Sequence, residues 1–168
     1  MAPPTQGRPV LRTPRLVLEP VCALDIGWLR SHWNRLDIGR HLWDGGPVPR
    51  RTVAELVADS GRDFATVGYG LWMVRRAGAA VGVCGLRDRN GSAELLVSVE
   101  RGEQGKGFAV EAIRAVLARA LVVGGVVAWT EPGNGPAQRV LARVGLTPGA
   151  EAGPWVCWRR GTGTPLPE

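Results

Sequence analysis

Along the chain, apolar and polar positions fall into short segments, each with its own period. Leu16 to Val21 carries enough period-two alternation to predict a first strand after a Thr13-Pro14 entry. From Ala23 the spacing of Ile26, Leu29, Arg30 and Trp33 fits a short helix, with Asp25 in its first turn, where a negative charge is favoured. Asp44-Gly45-Gly46-Pro47 then breaks the chain. Thr52 followed by Glu55 reads as a capping box for a second helix with Val53, Leu56 and Val57 as its buried stripe, ending among Gly61, Gly68 and Gly70.

Strand-like runs follow at Leu71 to Arg75, Ala80 to Leu86 and Ala93 to Val99. They are separated by Arg76-Ala77-Gly78-Ala79 and Asp88-Arg89-Asn90-Gly91, and the closing Asn-Gly is a strong hairpin signal, so an antiparallel meander is predicted. Gly107 to Leu121 reads as a helix that is apolar on most faces, with Glu111 and Arg114 paired at i, i+3. Gly124-Gly125 leads into a short buried strand, Val126 to Thr130, which makes a strand–helix–strand unit with parallel strands. Pro136 at a first helical position opens another helix with Ala137, Val140, Leu141 and Val144 inward, ended by Gly145, and Trp155 to Arg160 gives a last strand. The predicted fold class is mixed α/β, a mostly antiparallel sheet flanked by helices, with its only parallel crossover late in the chain. The predicted organisation is a flexible leader over 1–9, a single domain over 10–160 and a flexible tail over 161–168.

Composition narrows the class. The 168 residues, 45% hydrophobic and 21% charged, suit one globular domain. No uncharged apolar run approaches the ~18–20 residues that a bilayer span requires, and the N-terminal stretch has no apolar core. The expectation is an untargeted cytoplasmic protein without a membrane partner. The formal charge is +6, which invites a nucleic-acid reading. Yet every basic residue except Lys106 is Arg, as a GC-rich coding bias would produce. The basic residues form no run longer than Arg50-Arg51 or Arg75-Arg76, which argues against a nucleic-acid partner. Cys22, Cys84 and Cys157 are scattered and odd in number, as expected for reduced thiols, with Cys84 in the core. His32 and His41 have neither a helix-face spacing nor a zinc signature, so no metal is expected.

The most informative segment is Val97-Ser98-Val99-Glu100-Arg101-Gly102-Glu103-Gln104-Gly105-Lys106-Gly107-Phe108-Ala109, a strand end, a glycine-rich loop and a helix start. Small residues there let backbone N–H groups converge on an anion at the positive end of a helix. The nucleoside-triphosphate loop fails, because position 100 is Glu and no Ser or Thr follows Lys106; the dinucleotide fingerprint fails at Val110. Gln-x-x-Gly-x-Ala at Gln104, Gly107 and Ala109 remains.

That loop resembles the acetyl-coenzyme A pyrophosphate loop of the GNAT acetyltransferases. Further segments resemble the RimJ/RimL-type subgroup, which acetylates ribosomal-protein N-termini: Leu11 to Leu18 its opening strand, Leu71 to Val74 and Val81 to Leu86 its central hairpin, Gln104 to Ala112 its Trp-Gly-Lys-Gly-Tyr-Ala-x-Glu-Ala stretch with Gln for Trp, and Asn134 to Leu146 its Asn-x-x-Ser helix. The resemblance covers about residues 10–148 and fades beyond Gly149.

It implies that Ala93–Val99 splays from Val126–Thr130 and that pantetheine inserts between them. Val97 and Val99 would bond the pantetheine amides through their backbone. Gln104, Gly105, Lys106, Gly107, Phe108 and Ala109 would cradle the pyrophosphate. Asn134 would bond the cofactor arm, although Asn-Gly-Pro is also ordinary turn chemistry. The implied reaction is direct attack of an amine on the thioester, helped by a backbone N–H near Val99 that polarises the carbonyl. Glu94, acting through water, is the first candidate base and Glu131 the second. The subgroup's Ser is replaced by Ala137, and Tyr69 is the only tyrosine, so the residues name no general acid. Trp33, His41, Trp43 and Asp44, with Trp72, would form an acceptor pocket, unless the tryptophans fill the core. The expected activity is acetyl-CoA-dependent transfer to a small-molecule amine or a protein N-terminus, by a monomer or homodimer. A non-catalytic coenzyme A-binding protein and a basic nucleic-acid module are the alternatives.

Overall fold

Residues 9–39, 46–120 and 124–161 are described in the computed structural model. Its strands are β1 (Leu11–Arg12), β2 (Val17–Pro20), β3 (Leu71–Arg76), β4 (Ala79–Arg89), β5 (Ser92–Val99), β6 (Val126–Thr130), β7 (Thr147–Ala152) and β8 (Trp155–Arg160). Its α-helices are α1 (Ile26–Trp33), α2 (Leu36–Gly39), α3 (Arg50–Thr66), α4 (Phe108–Arg119) and α5 (Gly135–Arg143). The strands form one sheet in the order β1-β2-β3-β4-β5-β6-β8-β7. Every neighbouring pair is antiparallel except β5 with β6, so the mixed α/β architecture and its single late parallel crossover are as expected. Of the expected leader over 1–9 and tail over 161–168, residues 1–8 and 162–168 lie outside the described residues.

Local chemistry explains the meander. Ala77 and Gly78 have φ of 48° and 82°, and Asn90 and Gly91 have φ of 52° and 84°. Two successive positive φ values match the twist of a tight hairpin, which is why Asn-Gly stands at the second turn. Side chains then alternate across the sheet. Trp72 and Val74 join Ile113, Val116 and Leu117 of α4 in one apolar cluster. Leu71 and Met73 join Leu29, Trp33, Val53 and Leu56 of α1 and α3 in the other. With both faces covered, β3 reads as an unbroken apolar run instead of an alternating one.

Four local expectations are corrected. Helix α3 starts at Arg50 with Pro49 as its N-cap. Thr52 therefore lies inside the helix, and Glu55 pairs with Arg51 at 2.9 Å instead of closing a capping box. The helix runs through Gly61, because tertiary burial of its stripe outweighs the ~1 kcal/mol cost of one glycine, and ends at Thr66 before Gly68, whose φ of 83° makes it the expected stop glycine that does act. Strand β7 escaped prediction: its sequence, Thr-Pro-Gly-Ala-Glu-Ala, is almost wholly exposed and pairs with β8 across an irregular register. An edge strand of this kind has no apolar pattern to read.

The fourth correction concerns Glu111, whose partners are not Arg114 but residues nearly a hundred positions earlier. Its carboxylate accepts from Thr13 Oγ1 at 2.5 Å, from the Arg15 backbone N–H at 3.0 Å and from Arg15 Nε at 2.7 Å. Arg114 instead donates to the Arg143 carbonyl at 3.3 Å. Burial pushes the Glu111 carboxyl up, but the Thr13 hydrogen bond and the Arg15 hydrogen bonds and charge outweigh it and hold it below 4.5. A lowered carboxyl contributes stability above its unfolded-state value, and that contribution disappears as pH falls through the folded value. Glu111→Gln should therefore lose about 1 kcal/mol of unfolding free energy at pH 7, discounted for partial exposure, with the gap to wild type closing in acid. Urea titrations at several pH values check this, and a gap that stays constant down to low pH would contradict it.

Candidate active site

Strands β5 and β6 pair only at Ala93 with Val126 and at Glu94 with Val127. Beyond Glu94 they part, and a cleft of about 1010 Å³ opens between them. It is bounded by β5, β6, the loop into α4 and one side of α5. Backbone parity shows what β5 offers it. The Glu100 N–H donates to the Val81 carbonyl at 2.8 Å, so even-numbered positions of β5 bond toward β4. Leu95, Val97 and Val99 therefore turn their N–H and C=O groups toward the gap. Val99 has one of these already engaged: its carbonyl accepts from Gln104 Nε2 at 2.9 Å.

The loop that closes the upper end is braced from far along the chain. Gly105 and Gly107 hold φ of 76° and 84°, and Gly107 is the N-cap of α4. A Cβ on Gly107 would be strained by its backbone conformation and would stand 3.3 Å from Arg15 Nη2. The Arg15 guanidinium also donates to the Lys106 carbonyl at 2.9 Å and lies 4.5 Å from the Phe108 ring, whose other cationic neighbour is Arg76 at 5.0 Å. These contacts fix the turn so that the leading N–H groups of α4, which have no intrahelical acceptors, face the cleft end. Gln104, Gly105, Gly107, Phe108 and Ala109 line it. Lys106 does not, and its ammonium is spent on Glu103 at 3.3 Å.

Asn134 lines the cleft while also capping α5, its Oδ1 accepting from the Ala137 N–H at 3.3 Å. The cap read from the sequence is therefore present and uses the carbonyl oxygen, which leaves the amide NH₂ as the group Asn134 can offer a ligand. Ala137 lines the cleft beside it. Of the two candidate bases, Glu94 lines the cleft and is paired with Arg87, with Arg89 at 3.9 Å. Glu131 stands outside the lining, and its carbonyl holds the turn into α5 by accepting from the Asn134 N–H at 3.0 Å and from Gln138 Nε2 at 3.2 Å.

The aromatic acceptor pocket is corrected in part. Trp72 is fully buried in the α4-side core, and its indole N–H donates to the Pro9 carbonyl at 2.7 Å, so it has no face for a substrate. Trp33 is fully buried as well. His41, Trp43 and Asp44 lie outside the described residues. Cys84 is in the core as expected, and burial pushes its thiol well up, away from nucleophilic use.

Sequence reading missed other cleft residues: Arg87, Ser98, Trp129 and Trp155. Ser98 was legible in principle, because strand alternation sends its side chain to the face opposite Val97 and Val99, where α1 carries a polar His32 among apolar neighbours. Trp155 was not, since it reaches the cleft only through the β7–β8 hairpin.

A family model described as "Acetyltransferase (GNAT) domain" matches residues 15–147. No curated protein sequence matches the chain. Among solved structures, it is similar to an acetyltransferase from Agrobacterium tumefaciens at 23% identity and a TM-score of 0.81, over 93% of this chain and 96% of that one. It is similar also to a putative GNAT-family acetyltransferase from Bordetella pertussis at 24% identity and a TM-score of 0.75, over 92% and 100% of the two chains. A third likeness is to RimL, a ribosomal L7/L12 alpha-N-protein acetyltransferase in complex with coenzyme A, at 13% identity and a TM-score of 0.76, over 91% and 98%. At these identities the likeness is one of fold, and it agrees with the family match over most of the chain. The chain belongs to the GNAT acetyltransferase family.

Proposed function

We propose that the protein transfers an acetyl group from acetyl-CoA to a primary amine, either a protein N-terminus or a small molecule, by direct attack on the thioester. The observation that carries this is the two-pair limit on β5–β6 pairing, which leaves a row of oriented backbone groups along a cleft long enough for a pantetheine arm. Pantetheine is an extended diamide, and the Val97 and Val99 backbone can meet it as a missing strand would. The glycine turn supports the pyrophosphate reading, because the left-handed φ of Gly105 and Gly107 shapes the backbone at the start of α4, where N–H groups without intrahelical acceptors favour an anion. In this reading Gln104, Gly105, Phe108 and Ala109 share that cradle, Lys106 adds only charge, and the Asn134 amide donates to the cofactor arm. The likeness to RimL favours a peptide N-terminus as acceptor.

The chemistry needs few protein groups. A substrate α-amino group titrates near ~8, so only modest help is needed to free its lone pair. Of the two candidate bases, Glu94 is the one whose residue lines the cleft and would act through water, while the Glu131 backbone carbonyl serves the α5 turn. A backbone N–H of the splayed strand would polarise the carbonyl as the tetrahedral intermediate forms. With Ala137 on α5, the departing thiolate would take its proton from water.

Wild-type protein given acetyl-CoA and a panel of N-terminal peptides and small amines should release free thiol above background with at least one of them. Thermal stabilisation by coenzyme A without release for any amine would favour the non-catalytic binder. Gly107→Val should abolish that stabilisation, and an unchanged thermal shift would remove the loop from the cofactor site. Asn134→Ala should lose about 1 kcal/mol of stability with the helix cap. Asn134→Asp should keep the cap and the stability while weakening coenzyme A binding, measured by calorimetry; equal binding by both variants and wild type would exclude a cofactor contact.

A further inference from the structure

Acetyl transfer to an ammonium releases one proton overall, and the α1 side of the cleft carries groups arranged to conduct it. Ser98 lines the cleft. Its Oγ lies 2.9 Å from His32 Nε2 and accepts from Trp33 Nε1 at 3.1 Å. His32 Nδ1 lies 2.7 Å from Glu100 Oε1, and Arg35 Nη1 holds Glu100 Oε2 at 3.0 Å. The His32 side chain is 0% exposed and that of Glu100 is 24% exposed. The line therefore runs from the cleft, through a buried imidazole, to a carboxylate that water reaches.

Hydrogen-bond roles fix its direction. An ionised carboxylate only accepts, so Nδ1 carries the ring proton toward Glu100. With the ring neutral, Nε2 presents its lone pair to Ser98. The indole N–H of Trp33 occupies one Oγ lone pair, which leaves the hydroxyl proton to point at Nε2. This is the acid–imidazole–hydroxyl order of a serine triad. His32 also stacks on Trp28, with ring centroids 4.6 Å apart, so the ring plane is held as well as its tautomer.

We infer that Ser98, His32 and Glu100 form a proton relay for the transfer step, an inference that rests on the acetyl-transfer reading above. Ser98 is the member that meets the reacting amine, directly or through one water; His32 and Glu100 are positioning residues that act through it. As the N–C bond forms and the C–S bond breaks, the electron pair leaves on sulfur. The substrate nitrogen gives up two protons in all, one before attack and one after it. The relay takes the second: it passes to Ser98 Oγ while the Ser98 proton moves to His32 Nε2, and the resulting imidazolium is stabilised by Glu100. The thiolate recovers one proton from water, and the imidazolium returns the other through Ser98 to water in the cleft once the product has left, which restores the Nδ1–H ring. Glu94 lies four residues, about 13 Å along β5, from Ser98, so Glu94 takes the first proton through water while Ser98 stands at the nitrogen for the second.

Ser98→Ala, Ser98→Thr, His32→Gln and Glu100→Gln should be assayed for thiol release with acetyl-CoA and an amine that the wild type accepts. Ser98→Ala should lower kcat by about 10²-fold with KM for acetyl-CoA nearly unchanged, and Ser98→Thr should recover most of the loss. His32→Gln combined with Ser98→Ala should be no worse than Ser98→Ala alone, as for residues acting as one unit. Imidazole ¹⁵N NMR, with the His32 signal assigned by removing the chain's one other histidine in His41→Gln, should show the proton on Nδ1, a readout independent of turnover and of whether the His32 variant folds. A kcat for Ser98→Ala within about 3-fold of an active wild type, against the range expected of acid–base groups, would overturn the relay alone, as would a proton on Nε2. A wild type that turns over no amine would overturn the acetyl-transfer reading and the relay with it.

Discussion

The hydrogen-bonded partnership of β5 and β6 ends after Glu94 and Val127, and the remainder of the site depends on that ending. Unpaired backbone in a sheet interior is costly unless water or a ligand satisfies it. Here five residues of β5 pass beside an open cleft with alternate peptide groups directed into it. The splay is held open by what flanks it. Helix α4 packs its apolar side on the sheet through Ile113, Val116 and Leu117, while α5 anchors through Leu141 and is started by the Asn134 cap. Neither helix fills the gap, so the sheet's one parallel junction becomes its binding groove.

The two faces of the sheet contribute differently. On the α4 face, Arg15 reaches from the β1–β2 connection to the Lys106 carbonyl, Glu111 and the Phe108 ring, so the glycine turn is locked by a residue distant in sequence. That lock holds the turn without drawing on Lys106, whose ammonium pairs with Glu103. On the α1 face, Ser98, His32 and Glu100 meet with Trp33 in a hydrogen-bonded line. Alternation along one strand thus separates the backbone groups of Val97 and Val99, which face the gap, from the Ser98 side chain, which meets His32.

Much of this was legible in the sequence. Period and turn chemistry located β3, β4, β5, α4, β6 and α5, because each combines an apolar face with a strong stop signal such as Asn90-Gly91 or Gly145. The glycine turn at the start of α4 was legible from its spacing, and the family resemblance extended the reading to the splay. What sequence could not supply was pairing at long range. The Glu111 partnership with Thr13 and Arg15, the packing of Trp72 into the core and the exposed edge strand β7 depend on tertiary neighbours that no local pattern encodes. Ser98 and His32 fall between these cases: each lies at a position whose direction periodicity gives, but their meeting requires the fold.

A structure of the protein with coenzyme A bound tests the central claim most directly, since that claim is the position of the pantetheine arm. The account expects the arm to lie between β5 and β6, bonded to the Val97 and Val99 backbone, with the pyrophosphate over Gly105 and Gly107 and the sulfur on the side reached by Ser98. Coenzyme A seated elsewhere, with the β5 backbone still open to water, would contradict it.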